Sequence, residues 1–309
     1  MVALEAPPLV GKRYVLRDML GQGGMGKVYH AYDLLTGTDI ALKQVARTAD
    51  GISTTAPTQD NDLRLALAQE FRVLASLRHP HIVSVLDYGF DAERQPYFTM
   101  ELLGGARDIY QATRDLPLED QVHLLVQTLQ ALAYLHRRGV LHRDLKPSNV
   151  LVIDQRVKVV DFGLALSDNA PDSALGTLPY LPPELLYGKQ PDERADLYAL
   201  GLIAHEVLAG AHPFESENRA QLINSIINKT PDLSGFDPRL ASIVGRLLMK
   251  QPENRYPRAG DVIIALYTAL NLTLPPESPA TRESFLKAAR LIGRDAELGQ
   301  LTQALVRTL

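Results

Sequence analysis

Apolar and polar positions alternate along the first hundred residues of the chain, and beyond them the apolar spacing lengthens to three and four. The alternating runs Tyr14–Leu20, Lys27–Tyr32 and Asp39–Val45 read as strands. Ile82–Tyr88 and Tyr97–Glu101 extend them to an expected antiparallel sheet of five. Residues 47–62 are polar and aperiodic, which predicts an exposed loop. From 63 to 77 the leucines at 63, 67, 74 and 77 form one helical stripe, and Pro80 closes it. The second half predicts helices. Glu119–Arg138 buries Val122, Leu125, Val126, Leu129, Leu132 and Ala133 and stops at Gly139. Asp196–Leu208 is apolar almost all round, hence interior, and shorter helices are expected over 219–229, 238–250 and 256–270. Val150–Ile153 and Val157–Val160 predict a short hairpin around Asp154-Gln155. The pattern is α+β, with a β-rich small lobe over 12–101 and a mainly α-helical large lobe over 104–271. A Pro-rich linker (272–280) and a tail (281–309) with apolar residues at helical intervals follow.

Composition narrows the picture only by exclusion. The net charge of −4 argues against a nucleic-acid or anionic-membrane surface. The absence of cysteine excludes disulfides and thiol chemistry and fits a reducing cytoplasm. No apolar run approaches the length of a membrane span, and the first residues lack the charged and apolar regions of a secretory signal.

Chemistry concentrates in Leu141-His142-Arg143-Asp144-Leu145-Lys146-Pro147-Ser148-Asn149, between a long helix and an apolar strand. Within this loop Asp144 is placed to accept a proton and Lys146 to neutralise a phosphate oxygen, while Asn149 offers a hard oxygen ligand. A turn-forming mixed-charge loop is the plain alternative for this segment alone. Twelve residues beyond Asn149 stands Asp161-Phe162-Gly163, which fixes a carboxylate at a strand end. Near the N-terminus Gly21-Gln22-Gly23-Gly24-Met25-Gly26 joins two strands, so its backbone N–H groups can meet phosphates. Three glycines at this spacing are a weak signal by themselves, and a strand–strand setting argues against a dinucleotide fold. Lys43 ends an apolar run, and Glu70 lies on the apolar stripe of the 63–77 helix. A carboxylate there needs a partner, and Lys43 is the expected one. His79 and His81 form a lone pair without acidic or cysteine neighbours and read as a polar turn rather than a metal site.

Taken in order, these segments resemble the protein kinase superfamily, in its bacterial, eukaryotic-like serine/threonine branch. The matches are G-x-G-x-x-G-x-V ending at Val28, I-A-L-K ending at Lys43, H-R-D-L-x-x-x-N over 142–149 and D-F-G over 161–163. The resemblance implies a bilobal kinase fold that transfers the γ-phosphate of ATP, with Mg²⁺ or Mn²⁺, to serine or threonine hydroxyls of proteins and of itself. Asp144 and Lys146 would be catalytic, and Asn149 and Asp161 would hold metal. Leu20, Gly21, Gln22, Gly23, Gly24, Met25, Gly26, Lys27, Val28, Ala41, Lys43 and Leu151 would surround the nucleotide, with Glu70 positioning Lys43. Met100 would be the gatekeeper, and the backbone of Glu101 and Leu103 would hold adenine. An activation segment is implied over 164–178. Ser173 is its expected phosphorylation site, Arg143 the cation facing the phosphate, and Thr177 a residue positioning Asp144. The buried helix Asp196 and a Glu184–Arg255 ion pair are implied braces.

The family's A-P-E appears here as Pro182-Pro183-Glu184, a mild departure. The phrase Leu291-Ile292-Gly293-Arg294-Asp295 is similar to the entry into a STAND/AAA-type ATPase module, and a C-terminal sensor module is the expected partner. The alternative reading is a nucleotide-binding pseudokinase acting as scaffold or switch. It predicts a missing lysine, aspartate or metal ligand, and none is missing.

Overall fold

The structure is a computed structural model. It describes residues 9–23, 26–45, 74–161, 178–214, 216 and 218–273. Nine strands and seven α-helices are defined among them.

The small lobe is one antiparallel sheet. Its strands are β1 (Leu9–Val10), β2 (Tyr14–Gly23), β3 (Gly26–Asp33), β4 (Thr38–Val45), β5 (Val85–Phe90) and β6 (Pro96–Glu101), ordered β1-β2-β3-β4-β6-β5. The five expected strands are joined by a sixth, β1, whose two residues pair with Tyr14 and Val15. A two-residue strand carries no period of its own, so the alternation could not reveal it. Strand β4 is central and buries Ile40, Ala41, Leu42 and Lys43 in a row, because both of its faces are covered. Register shifts between Leu16 and Gly21 curl β2 over the cleft between the lobes.

In the large lobe, β7 (Arg107–Asp108) leads into the short helix α1 (Ile109–Thr113), whose N-terminus is capped by the Asp108 carboxylate. Helix α2 (Leu118–Arg137) follows, then the hairpin of β8 (Val150–Ile153) and β9 (Arg156–Val159). The turn residues Asp154 and Gln155 have φ of 47° and 57°, the backbone of a tight hairpin turn. Strand β9 begins and ends one residue earlier than the pattern indicates, because the Val160 N–H bonds instead to Asn149 O. After α3 (Pro183–Leu186) comes α4 (Glu193–Ala209), capped by Asp192 and ended by Gly210 in the left-handed region. It starts three residues before the apolar run because the cap, not the apolar pattern, sets its beginning. Helices α5 (Arg219–Asn228), α6 (Pro238–Leu247) and α7 (Ala259–Ala269) complete the lobe. Helix α7 begins late, since Pro252–Asn254 forms a 3₁₀ turn that inserts Arg255 into the core.

One apolar core runs through both lobes, from Ala41, Leu74, Leu77 and Met100 to Leu129, Leu197, Ile203 and Val262. Each such buried leucine, isoleucine, valine or methionine side chain contributes about 1.5–3 kcal/mol. Helix α4 lies at its centre, and Gly201 lets α6 approach: a Cβ there would meet the Leu247 Cβ at 2.8 Å. The expected 63–77 helix is seen only at residues 74–76; Glu70 lies outside the described residues, as do Gly24, Met25, Ser173, Thr177 and the tail.

Candidate active site

The segment 142–149 is fixed by backbone and side-chain bonds from three elements. Arg143 adopts φ 64°, which turns the chain so that successive N–H groups point at one carboxylate. That carboxylate is Asp196 in α4. It accepts from the His142 N–H at 2.9 Å, the Arg143 N–H at 3.0 Å and His136 Nε2 at 2.8 Å. Burial alone would raise the Asp196 carboxyl, but the hydrogen bonds donated by His136 and by the His142 backbone hold it below the ordinary carboxylate value. His142 is fully enclosed, which lowers its pKa, and its Nε2–H donates to Val160 O at 3.1 Å.

Above this base lie the reactive side chains. Asp144 is buried to 4% exposure, and Lys146 Nζ donates to its two carboxylate oxygens at 2.9 and 3.2 Å. Asn149 Nδ2 donates to Asp144 O at 2.8 Å and Oδ2 at 3.0 Å, so its amide oxygen is the atom left for a cation. The Val160 N–H bond to Asn149 O, at 2.9 Å, brings Asp161 beside the same loop. Asp161 has φ 54° and meets Lys43 Nζ at 2.6 Å. Lys43 is buried to 4% exposure, its Nζ 5.9 Å from the centre of the Phe98 ring. This ion pair spans the two lobes: the lysine comes from β4 and the carboxylate from the end of the β8–β9 hairpin. The expected Lys43–Glu70 pair falls outside the described residues, and the structure adds Asp161 as a partner of Lys43.

The glycine segment forms the end of the β2–β3 hairpin, with Gly21 opposite Val28, Gln22 opposite Lys27 and Gly23 opposite Gly26. Gly26 has φ 133°, which side chains rarely adopt. Gly21 and Gly23 are different. A Cβ on either would meet no protein atom within 4 Å, so packing does not require glycine there. Glycine at these positions leaves room for a bound group to approach the backbone closely. Leu20 is exposed, Val28 and Leu151 half-buried, and Ala41 pairs with Met100 in the covered part of the sheet. At the connection between lobes the Glu101 N–H donates to Ser84 O at 3.0 Å and the Ala106 N–H to Leu103 O at 3.3 Å. No hydrogen bond engages the Leu103 N–H among the described residues. The Glu101 side chain turns away from the cleft, accepting from Lys158 Nζ at 2.7 Å and Ser84 N–H at 2.8 Å.

The Glu184–Arg255 pair is present. The guanidinium, 1% exposed, forms two parallel 2.7 Å bonds to the carboxylate. It also donates to the carbonyls of Arg194, Lys250 and Met249. His79 and His81 are structural: His79 stacks on Tyr134, and the His81 ring bonds Val157 O. Burial lowers the His79 pKa to about 3 and that of His81 to about 4. His136 was the residue the motifs did not announce. Its signal was periodicity, for it continues the buried stripe of Leu129 and Leu132, where a polar side chain needs a partner.

Among the described residues no group of three or more His, Cys, Asp or Glu gathers as a metal site. Two oxygen donors beside a glycine-lined space instead fit a cation whose other ligands are phosphate oxygens and water. A proton acceptor, a lysine beside it, an interlobe lysine and a glycine hairpin around one cleft define a phosphate-handling site. Residues 14–262 match the protein kinase domain family, and the chain belongs to it, with the bilobal α+β fold of that family. Membership implies the use of ATP and a divalent metal ion.

A probable serine/threonine-protein kinase of Streptomyces coelicolor is 33% identical over 286 residues, covering 87% of this chain and 41% of its own length. Serine/threonine-protein kinase PknB of Mycobacterium leprae is 32% identical over 294 residues, covering 89% of this chain and 46% of its own length. PknB of Mycobacterium tuberculosis is 32% identical over 310 residues, covering 93% and 48% respectively. The chain thus spans less than half the length of these relatives. Among the described residues no helix is long and apolar enough to cross a membrane.

Proposed function

We propose that the chain is a serine/threonine protein kinase that transfers the γ-phosphate of Mg-ATP to hydroxyls of protein substrates and of itself, in bacterial cytoplasmic signalling. The observation that carries this is the Asp144–Lys146–Asn149 cluster held beside the Lys43–Asp161 pair. Asp144 orients the attacking hydroxyl and accepts its proton. Lys146, already on that carboxylate, faces the oxygens of the transferring group and offsets their charge. Lys43 holds the α- and β-phosphates. Leu20, Val28, Ala41, Met100 and Leu151 enclose the base, and the Glu101 carbonyl and Leu103 N–H align it. The amide oxygen of Asn149 and the carboxylate of Asp161 hold the metal ions, for which Mg²⁺ is the ion that keeps several waters and binds beside phosphates. When bound, these ions supply charge neutralisation across the phosphates. A serine or threonine acceptor, rather than tyrosine, follows from Lys146.

We assign the kinase domain to 12–271, with 272–280 as a Pro-rich linker and 281–309 as a tail with apolar residues at helical intervals, whose Leu291–Asp295 is similar to the entry into an ATPase module. Ser173 is the autophosphorylation site within the activation segment, with Arg143 its counter-charge and Thr177 structural. A scaffold that binds nucleotide without transfer would lack one of the reactive groups, and each is present. The test is transfer from Mg-ATP to the chain and to a generic basic protein, with sites mapped by mass spectrometry. Phosphoserine or phosphothreonine is expected. Tight ATP binding without transfer would overturn the reading in favour of a nucleotide-gated scaffold.

A further inference from the structure

The carboxylate that braces the catalytic loop is reached from the far surface of the large lobe through one side chain. His136 donates through Nε2 to Asp196, and its other ring nitrogen points the opposite way. That atom, Nδ1, is buried and has no hydrogen-bond partner; the His136 side chain is 3% exposed. The nearest charged atom is a Glu193 carboxylate oxygen at 3.8 Å, beyond hydrogen-bonding distance. A buried polar atom left in this state is costly, and such groups are almost always satisfied by water or a ligand.

His136 lines a half-open cavity of about 430 Å³ between α2, α4 and α7. The N-terminus of α7 opens onto the same space. This eleven-residue helix has Arg258 at its cap position, and no side chain caps it. The N–H groups of Ala259 and Gly260 make no hydrogen bond among the described residues, while that of Asp261 turns back to Arg258 O. Helix N-termini of this kind carry partial positive charge and favour anions. Arg137 of α2 and Arg258 at the α7 cap position line the cavity, and Glu193 and Asp261 complete its lining. A guanidinium fork beside a helix N-terminus suits a tetrahedral oxyanion. The rim carboxylates admit one whose hydroxyl can donate, and a phosphate group that retains a proton also satisfies the Nδ1 lone pair.

We propose that this cavity binds a phosphate group, held by Arg258, the first amides of α7 and His136. Binding there orders His136, hence Asp196, hence the amides of His142 and Arg143. The binding claim is independent of the proposed transferase activity; the coupling to Asp196 rests on that reading.

Calorimetric titration of the full chain, with ADP and magnesium saturating the nucleotide cleft, separates the two. Orthophosphate and O-phosphoserine are titrated in parallel against chloride of equal ionic strength. A single site is expected. The tighter of the two ligands tells whether its natural occupant is the free anion or a phosphorylated side chain. Arg258→Ala weakens binding about tenfold or more, the loss of one charged hydrogen-bonding partner. Arg239→Ala, on exposed α6 surface, leaves it unchanged. No heat beyond chloride, or equal affinity in Arg258→Ala, overturns the site. A phosphate-dependent change in transfer rate that Arg258→Ala abolishes supports the coupling. Binding with an unchanged rate overturns the coupling and keeps the site.

Discussion

The large-lobe side of the cleft is braced from beneath at each turn, whereas the small-lobe side is left open. Asp196 of α4 accepts three hydrogen bonds, from α2 and from the catalytic loop, His142 is enclosed, and Glu184 and Arg255 are locked by a bidentate pair. The Asp196 and Glu184 carboxylates and the Arg255 guanidinium are buried and hydrogen-bonded, and such networks are rigid because every unmade bond is costly. In the small lobe, Met19 and Leu20 are exposed, β2 breaks register twice, and a Cβ on Gly21 or Gly23 would meet no protein atom. The difference follows from the task. Proton acceptance requires Asp144 to stay within a fraction of an ångström of its working position. A nucleotide must enter and leave, and a covering strand with few buried contacts opens at low cost. Lys43–Asp161 is the contact where the two regimes meet.

Five measurements test this contrast. Asp144→Asn removes the proton acceptor from the rigid side while keeping the side chain's size, at the cost of one acceptor facing Lys146; transfer is expected to fall about 10²- to 10⁴-fold with nucleotide affinity unchanged. A radiometric transfer assay beside a nucleotide-binding titration reads both, and a weakened affinity would show that the floor also shapes the roof. Lys43→Met removes the ammonium that joins the lobes. Its transfer rate should drop on the order of 10²-fold, with the melting temperature nearly preserved because a methionine still fills the buried channel.

Arg255→Met tests the brace itself. Leaving Glu184 buried and unpaired costs about 3–5 kcal/mol in denaturant unfolding, without touching any reactive group. A loss under about 1 kcal/mol would mean that the network is not what makes the large lobe rigid.

The fourth measurement is stability against pH. His79 is held neutral by burial, its pKa lowered from 6.5 to about 3. The unfolded chain therefore binds a proton that the folded chain refuses. The stability this represents is complete above pH 6.5 and is lost progressively as pH falls toward about 3. His79→Phe, which keeps a ring against Tyr134, should flatten the stability profile in that window; an unchanged slope would assign it to other groups.

The smallest effect is expected from Lys158→Met. This removes a partly exposed pair to Glu101, worth about 1 kcal/mol or less. A larger loss would show that the connection between lobes is stiffer than the comparison allows.

Much of this was legible in the order of residues. The strands β2, β3 and β4, the buried stripe of α2 and the all-apolar α4 follow from periodicity, because side-chain direction is set locally by backbone geometry. The loop from His142 to Asn149 was legible for a related reason: its groups lie within eight residues, so proximity in sequence guarantees proximity in space. Capping by Asp192, the late start of α7 and the two-residue β1 were not, since each depends on a hydrogen bond or pairing that the apolar pattern does not encode. By itself, the sequence determined the element types, the reactive groups and the need of Lys43 for a carboxylate partner. Only the tertiary structure decided that Asp161 is such a partner, that His136 and two backbone amides converge on Asp196, and that His136, with its unpaired ring nitrogen, lines one cavity with an uncapped helix N-terminus. Those contacts join residues 53 to 118 positions apart, and over such separations only the packing of whole elements fixes which groups meet.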